Sequence, residues 1–360
     1  MDKEFQIRAL PEWINTDGKP LVIAGPCSAE SETQMMATAK QLAEDYRVKI
    51  FRAGVWKPRT RPGGFEGMGE EALSWLAQVK QETRLATITE VAEPEHVKLA
   101  LKYDVDMLWI GARTVVNPFA VEKLAQELKG VDIPVMVKNP VHPDANLWMG
   151  AIERFYKAGI RKLVAIHRGF YFFHKSPYRN APMWEVPIAL KSKMPQLPIL
   201  CDPSHISGKR DLIEDISQKA LDLEMDGLMI ESHYSPDTAM SDKQQQLLPA
   251  DLRRMLDRLK IRQRHYANLR SKLEDLRSEI DKIDAELLHV LARRMEIIDR
   301  IGDYKKENDI TILQLKRWRN IITERLQMGT EQGLDEAFLN KILNIVHEES
   351  IRRQAEIFKH

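Results

Sequence analysis

At 360 residues the chain has room for two domains and a sizeable core, and 43% hydrophobic with 30% charged residues is ordinary for a soluble globular protein. A formal net charge of +1 excludes recruitment to nucleic acid or membrane surfaces by bulk electrostatics, so any strongly cationic site must be local. No stretch approaches a transmembrane span, and the amino terminus has no basic region followed by an apolar one. Two cysteines, Cys27 and Cys201, give no disulfide framework in a chain this large, so the expectation is a cytosolic protein with reduced thiols.

Residues 1–20 read as a short polar extension, too few for a regulatory domain. From Leu21 an alternation begins. Apolar, β-branched runs occur at Leu21–Ala24, Lys49–Ala53, Leu85–Thr89, Asp106–Ile110, Pro134–Lys138, Leu163–His167, Pro198–Cys201 and Gly227–Glu231. Helix-period stretches separate them: Ser31–Tyr46, Glu70–Glu82, Glu95–Tyr103, Pro118–Leu128, Asp144–Ala158, Met183–Met194 and Lys209–Glu224, with another at Ala250–Gln263. Strands and helices in strict order predict an α/β fold, and a (β/α)8 barrel of about 250 residues fits positions 21–265. A doubly wound open sheet is the alternative, but eight even repeats favour closure.

Beyond about His265 the pattern changes. Leu269, Leu273, Leu276, Ile280, Ile283, Leu287, Leu291, Met295, Ile298 and Ile301 recur at steps of three and four, with no helix breaker until Gly302. One helix of roughly 60 Å follows from 1.5 Å per residue. Shorter helical stretches are expected at Leu313–Met328 and Leu334–Phe358, separated by the Gly329–Gly333 turn. Residues 266–360 are therefore expected to be all-α, with the long apolar stripe buried in an intertwined dimer.

The chemistry starts at Leu21–Glu30, where an apolar strand breaks at Gly25-Pro26, presents Cys27 and opens a helix capped by Ser28 or Ser31. Most free cysteines are small buried hydrophobes. What raises Cys27 above that reading is the polar set just beyond the other strands: Lys57-Pro58-Arg59-Thr60, Gly111-Ala112-Arg113, Lys138-Asn139, His167-Arg168-Gly169, Cys201-Asp202-Pro203-Ser204-His205 and Glu231-Ser232-His233. A barrel brings all of these to one rim. Such a cationic basin in a nearly neutral chain suits a small substrate carrying phosphate and carboxylate groups. Cys27, His205, Glu231 and Asp242 form a second constellation, a mixed soft and hard donor set suited to a divalent ion such as Mn, Fe, Co or Zn. On the residues alone, a helix-capping His205 with both carboxylates paired to rim arginines is an equal reading.

Together, Gly25-Pro-Cys-Ser, Lys57-Pro-Arg-Thr, Gly111-Ala-Arg, Asp202-Pro-Ser-His and Glu231-Ser-His resemble type I 3-deoxy-D-arabino-heptulosonate 7-phosphate (DAHP) synthases of the short-barrel subgroup, over about Lys19 to Lys260. The resemblance implies metal-dependent condensation of phosphoenolpyruvate with erythrose 4-phosphate, the first step of the shikimate pathway. It makes Cys27, His205, Glu231 and Asp242 the metal ligands. It assigns phosphoenolpyruvate to Arg52, Lys57, Arg113, Lys138 and Arg168, and the erythrose phosphate to Lys57, Arg59 and Thr60. One departure is Arg61-Pro-Gly-Gly, where relatives often carry Ser-Pro and an aromatic residue.

Over Leu269 to Ile357 the chain resembles the all-helical chorismate mutases, through Arg277, Arg294, Lys305, Arg317, Ser350 and Gln354. The implied roles are carboxylate binding by Arg294, Arg317 and Arg277 of the partner subunit, donation to the ether oxygen by Lys305 and Gln354, and lining of the pocket by Ser350. No cofactor is implied for this rearrangement. Gln314 stands where the family often has Asp, and Trp318 where it commonly has the Glu that binds the chorismate hydroxyl.

The expectation is thus a bifunctional, homodimeric enzyme. The rival is a barrel resembling 3-deoxy-D-manno-octulosonate 8-phosphate synthase with a helical sensor or dimerisation module that turns nothing over. Lys57-Pro-Arg-Thr speaks for the four-carbon aldose, since the octulosonate enzymes carry a different sequence there. The two implied reactions are not consecutive, so handing on an intermediate does not explain the fusion. Feedback on the barrel by chorismate or prephenate held in the helical domain is the expectation, with simple co-expression or mutual stabilisation of the two domains as the alternative.

Overall fold

The computed structural model describes residues 5–57, 64–173, 176–262 and 270–359. The chain divides into two compact units, Met1–Arg264 and His265–His360.

In the first unit eight parallel strands close into a barrel in sequence order. They are β1 (Leu21–Gly25), β2 (Val48–Arg52), β3 (Ala86–Val91), β4 (Met107–Ile110), β5 (Val135–Lys138), β6 (Leu163–His167), β7 (Ile199–Cys201) and β8 (Gly227–Glu231). Closure is the pairing of β1 with β8, from Leu21 opposite Gly227 to Gly25 opposite Glu231. The open-sheet alternative is therefore excluded. Around the strands lie α1 (Glu32–Ala43), α2 (Glu70–Thr83), α3 (Pro94–Lys102), α4 (Ala112–Val115), α5 (Pro118–Glu127), α6 (Ala145–Lys157), α7 (Glu185–Lys193), α8 (Pro203–Ser207), α9 (Ile213–Asp222) and α10 (Pro249–Arg258).

Local chemistry sets where these helices start. Ser31, rather than Ser28, caps α1 by accepting the Gln34 N–H; Asn117 caps α5 with Pro118 in its first turn; Asp144 caps α6. Two short helices, α4 and α8, stand at strand ends, outside the helix-period stretches of the sequence. Each is a single turn, too short for a hydrophobic period to register.

The strands alternate between two cores. Leu21, Ile23, Ile50, Ile88, Met107, Trp109, Met136, Val164, Ile166, Leu200 and Met229 fill the barrel interior, while residues of opposite parity pack outward against the helices. Leu10, Trp13 and Ile14 join the interior cluster. Part of the polar extension of 1–20 thus packs into the core as an apolar plug.

The second unit contains α11 (Arg270–Glu307), α12 (Leu315–Glu331) and α13 (Glu336–Lys359). At 38 residues α11 spans about 57 Å. It runs through Gly302 instead of ending there. A Cβ at that position would lie 2.7 Å from Ile357 Cδ1, so the glycine permits close crossing of α13. Leu273, Leu276, Ile280, Ile283, Leu287 and Leu288 of α11 are exposed in the single chain. No helix among the described residues is long and apolar enough to cross a membrane.

Candidate active sites

Strand parity builds the barrel site. Two residues beyond Ile50, Met136, Ile166, Leu200 and Met229 come Arg52, Lys138, Arg168, Asp202 and Glu231, and the same step from Gly25 reaches Cys27. Period two therefore carries this polar layer onto the apolar interior at the carboxyl rim. Gly25 has φ +152°, and a Cβ there would sit 2.1 Å from the Arg52 carbonyl oxygen. Only glycine lets β1 turn this close to β2, which puts Cys27 beside Arg52, whose Nη2 lies 3.3 Å from the Cys27 carbonyl.

Cys27, Glu231 and Asp242 form the tight donor group, with one ligand atom from each lying within 4.8 Å of the others. Cys27 Sγ is 3.3 Å from Asp242 Oδ2 and 3.2 Å from Lys57 Nζ. His205 borders this group, with Nε2 3.7 Å from Glu231 Oε1 and Nδ1 2.7 Å from Asp202 Oδ2. Glu231 is fully buried; Arg52 Nη2 lies 3.2 Å from its Oε1, yet that oxygen has no well-formed hydrogen bond. A thiol, two carboxylates and an imidazole around an under-satisfied buried oxygen fit a divalent first-row ion. Burial, with the Glu231 charge next, pushes the Cys27 thiol up to about 12. Burial opposes the charge on Glu231 and Asp242, but His205 and Arg52 at the first, and Arg179 and His205 at the second, hold both carboxyls below their ordinary range.

The cations share a floor. Trp109 lies under both Arg52, 4.9 Å from ring centre to guanidinium carbon, and Lys138, 5.6 Å to Nζ, and its indole N–H donates to Glu90 at 3.1 Å. Arg52 Nε and Nη1 are buried without hydrogen-bond partners, donors suited to an anionic ligand. Burial lowers Arg168 to about 10, Asp202 opposing, and the charges of Arg179 and Arg113 add to the lowering. Arg113 itself is exposed on α4. Lys57 is raised: burial acts against its charge, but Cys27 and Glu231 outweigh it. Arg59 and Thr60 lie outside the described residues.

Side chains without an assigned role complete the site. Arg179 Nη1 bonds Asp242 Oδ1 at 2.9 Å and Gln245 Oε1 at 2.8 Å, and Gln245 Nε2 donates to Glu231 Oε2 at 2.7 Å. Gln246 accepts the Cys27 N–H at 2.9 Å. Asp202 carries Lys138 Nζ at 2.8 Å besides the His205 contact. Parity signals Asp202 and Trp109, whereas Arg179, Gln245 and Gln246 come from loops that carry no period. Cys201 and His167 have the outward parity; Cys201 belongs to the outer core, and His167 packs against Phe170 and Trp184.

In the helical unit α11 and α13 bring four of the expected residues together. Arg294 Nη1 donates to Ser350 Oγ at 2.7 Å, Lys305 Nζ to Gln354 Oε1 at 3.0 Å and to the Ile312 carbonyl at 2.6 Å, and Gln354 Nε2 to the Ser350 carbonyl at 3.2 Å. Ser350 and Gln354 are buried. Gln314 is exposed just before α12, and the side chain of Arg317 lies outside the described residues. Arg277 is not in this cluster: it is exposed and paired with Glu274, about 26 Å along α11 from Arg294 at 1.5 Å per residue. Trp318 stacks on His347 with ring centres 3.5 Å apart.

A closed (β/α)8 barrel with cations and ligand-type donors at its carboxyl rim, followed by a helical unit with a second cationic cluster, defines the class of protein. Residues 4–265 match the model of the DAHP synthetase I family, and the chain belongs to that family. Residues 276–355 match the model of chorismate mutase type II. A Phospho-2-dehydro-3-deoxyheptonate aldolase of Thermotoga maritima is 33% identical over 226 residues, covering 63% of this chain and 64% of the relative. The match thus spans just under two thirds of that relative's length. A 2-dehydro-3-deoxyphosphooctonate aldolase of Desulfotalea psychrophila is 26% identical over 245 residues, 62% of this chain and 83% of the relative. The crystal structure of the Thermotoga maritima DAHP synthase superposes with a TM-score of 0.61 at 30% identity, covering 68% of each chain.

Proposed function

We propose that this chain is a bifunctional enzyme that condenses phosphoenolpyruvate with erythrose 4-phosphate and water to give DAHP and phosphate, and rearranges chorismate to prephenate. The observation that carries the first activity is the joint placement of Arg52, Lys57, Lys138 and Arg168 with Cys27, His205, Glu231 and Asp242 at one rim of a barrel of this family.

In this reading Arg52, Lys138, Arg168 and Arg113 neutralise the phosphate and carboxylate of phosphoenolpyruvate. The unpartnered Arg52 donors face that anion, and Trp109 sets the height of Arg52 and Lys138 beneath it. Lys57, with Arg59 and Thr60, receives the second phosphate and aligns the aldehyde over C3. Cys27, His205, Glu231 and Asp242 would hold a divalent ion, which when bound would supply Lewis acidity toward the aldehyde oxygen. C3 attacks the aldehyde carbon, water adds at C2 as positive charge builds there, and phosphate leaves by C–O cleavage. The buried cations stabilise the departing charge.

For the second activity, Arg294, Arg317 and Arg277 of the partner subunit bind the two carboxylates, while Lys305 and Gln354 donate to the ether oxygen. The uncovered apolar stripe of α11 supports a homodimer through this unit. Chorismate or prephenate bound there feeds back on the synthase, with a typical coupling of about 1 to 3 kcal/mol.

The test is phosphate release from phosphoenolpyruvate with erythrose 4-phosphate and with a five-carbon aldose phosphate, before and after chelation, alongside chorismate disappearance. Metal-dependent release with the four-carbon aldose and turnover of chorismate are expected. A preference for the five-carbon aldose supports the octulosonate reading, toward which the second relative points. Synthase rates with added prephenate and with added chorismate, in the full chain and in residues 1–265, locate the sensor; insensitivity of both to either ligand removes the feedback.

A further inference from the structure

One carboxylate in the barrel touches both halves of the site. Asp202 stands between the end of β7 and α8, fully buried, and its Oδ2 lies 2.8 Å from Lys138 Nζ and 2.7 Å from His205 Nδ1. Its Oδ1 accepts the His205 backbone N–H at 3.1 Å, and its own N–H donates to the His167 carbonyl at 2.7 Å. Backbone and side chain are therefore both pinned. At 2.7 Å, Asp202 Oδ2 and His205 Nδ1 are an ion-pair contact, and His205 Nδ1 has no well-formed hydrogen bond. Two lone pairs 2.7 Å apart would repel, which favours a proton on Nδ1; Nε2, 3.7 Å from Glu231 Oε1, is then the ring nitrogen left to ligate an ion.

We propose that Asp202 is a positioning residue that couples the metal side of the site to the phosphoenolpyruvate side, fixing the ligand tautomer of His205 and the place of the Lys138 ammonium with the same oxygen. The inference rests on the synthase reading of this rim. It has a physical consequence that a purely structural carboxylate lacks: losing the negative charge disturbs metal affinity and substrate affinity together. Lys138 is a fully buried cation whose pairing is this carboxylate, so it loses its anchor; His205 loses the group that selects its tautomer.

The experiment uses the full chain and measures Co(II) binding by calorimetry, without turnover, together with KM for phosphoenolpyruvate. In Asp202→Asn, Co(II) affinity falls about 10- to 100-fold, the range typical of lost outer-shell partners of metal-bound histidine, and KM rises in the same variant. Lys138→Met raises KM while changing Co(II) affinity less than threefold. Should Asp202→Asn fail to fold, Asp202→Glu, which keeps the charge but moves it by one methylene, is expected to show both losses. Co(II) affinity unchanged within twofold in the folded variant overturns the coupling. Failure of the parent chain to bind Co(II) instead overturns the metal reading on which the coupling stands.

Discussion

The mutase assignment meets its sharpest test at Lys305. Its ammonium is held by Gln354 Oε1 at 3.0 Å and the Ile312 carbonyl at 2.6 Å, so it is placed before any substrate arrives. A preorganised donor aimed at developing charge is worth about 3 kcal/mol, which at about 1.4 kcal/mol per decade is a loss of roughly 100-fold in kcat. Lys305→Met keeps the unbranched stem and removes only the donor. The same change deprives a buried and a half-buried acceptor of a charged partner and costs about 1 to 2 kcal/mol of stability, a few degrees of melting temperature that leave the unit folded at assay temperature. Chorismate disappearance at saturating substrate should therefore show kcat about 100-fold down while the synthase rate of the same preparation is unchanged. A kcat within threefold of the parent, with the helical signal intact, would refute the reasoning. Lys305 would then be a strap between α11 and α13, and the ether oxygen would sit elsewhere.

Cys27→Ala should release the divalent ion and abolish phosphate release while sparing chorismate turnover; full synthase activity with metal still bound would remove Cys27 from the ligand set. Leu287→Asp places a charge in the exposed stripe of α11, and sedimentation should shift from dimer to monomer with loss of mutase activity; an unchanged dimer would place the interface elsewhere. Asp45 offers a pH test: burial opposes its charge, but paired bonds from Arg47 at 2.9 and 2.7 Å outweigh it and hold the carboxyl below its ordinary value. A depressed folded-state pKa contributes stability above the unfolded value of 3.8 that is lost as pH falls through the folded one. Asp45→Asn should consequently be less stable at neutral pH and flatten the decline of barrel stability below about pH 4; an identical acid profile would show the pair to be neutral.

The eight-fold alternation was legible because barrel strands are buried on both faces and helices between them keep a clean period. Within the site, strand parity accounts for one part of the residues singled out from the sequence or from the family resemblance. Arg52, Lys138, Arg168 and Glu231 continue the inward sets begun by Ile50, Met136, Ile166 and Met229. The same rule separates Asp202, which follows Leu200 inward, from Cys201 and His167, which face the helices. Asp242 escapes any such rule. It lies eleven residues past Glu231 and returns to Cys27 through a loop in which its own φ is +45°, a conformation Asp tolerates better than most residues. Arg179 likewise reaches Asp242 and Gln245 from a loop without period. Closure of those loops is a matter of long-range hydrogen bonding, which local pattern does not encode.

The long helix presents the opposite case, where the sequence demands more than a single chain supplies. Seventeen residues separate Arg277 from Arg294, about 26 Å on a helix, and α11 is unbroken between them. No bend within one chain can bring the two cations to one small dianion. The stripe from Leu273 to Leu288 stands uncovered on the same amino-terminal half of α11 that carries Arg277. Those two features are independent, since one concerns charge geometry and the other apolar area, yet a second α11 laid antiparallel answers both. In the dimer we propose, it would cover the stripe and carry its own Arg277 toward the Arg294, Ser350 and Gln354 cluster of its neighbour. Mutase activity should accordingly follow the dimer concentration, falling on dilution through the dissociation constant, and an activity proportional to chain concentration through the monomer range would separate the two demands.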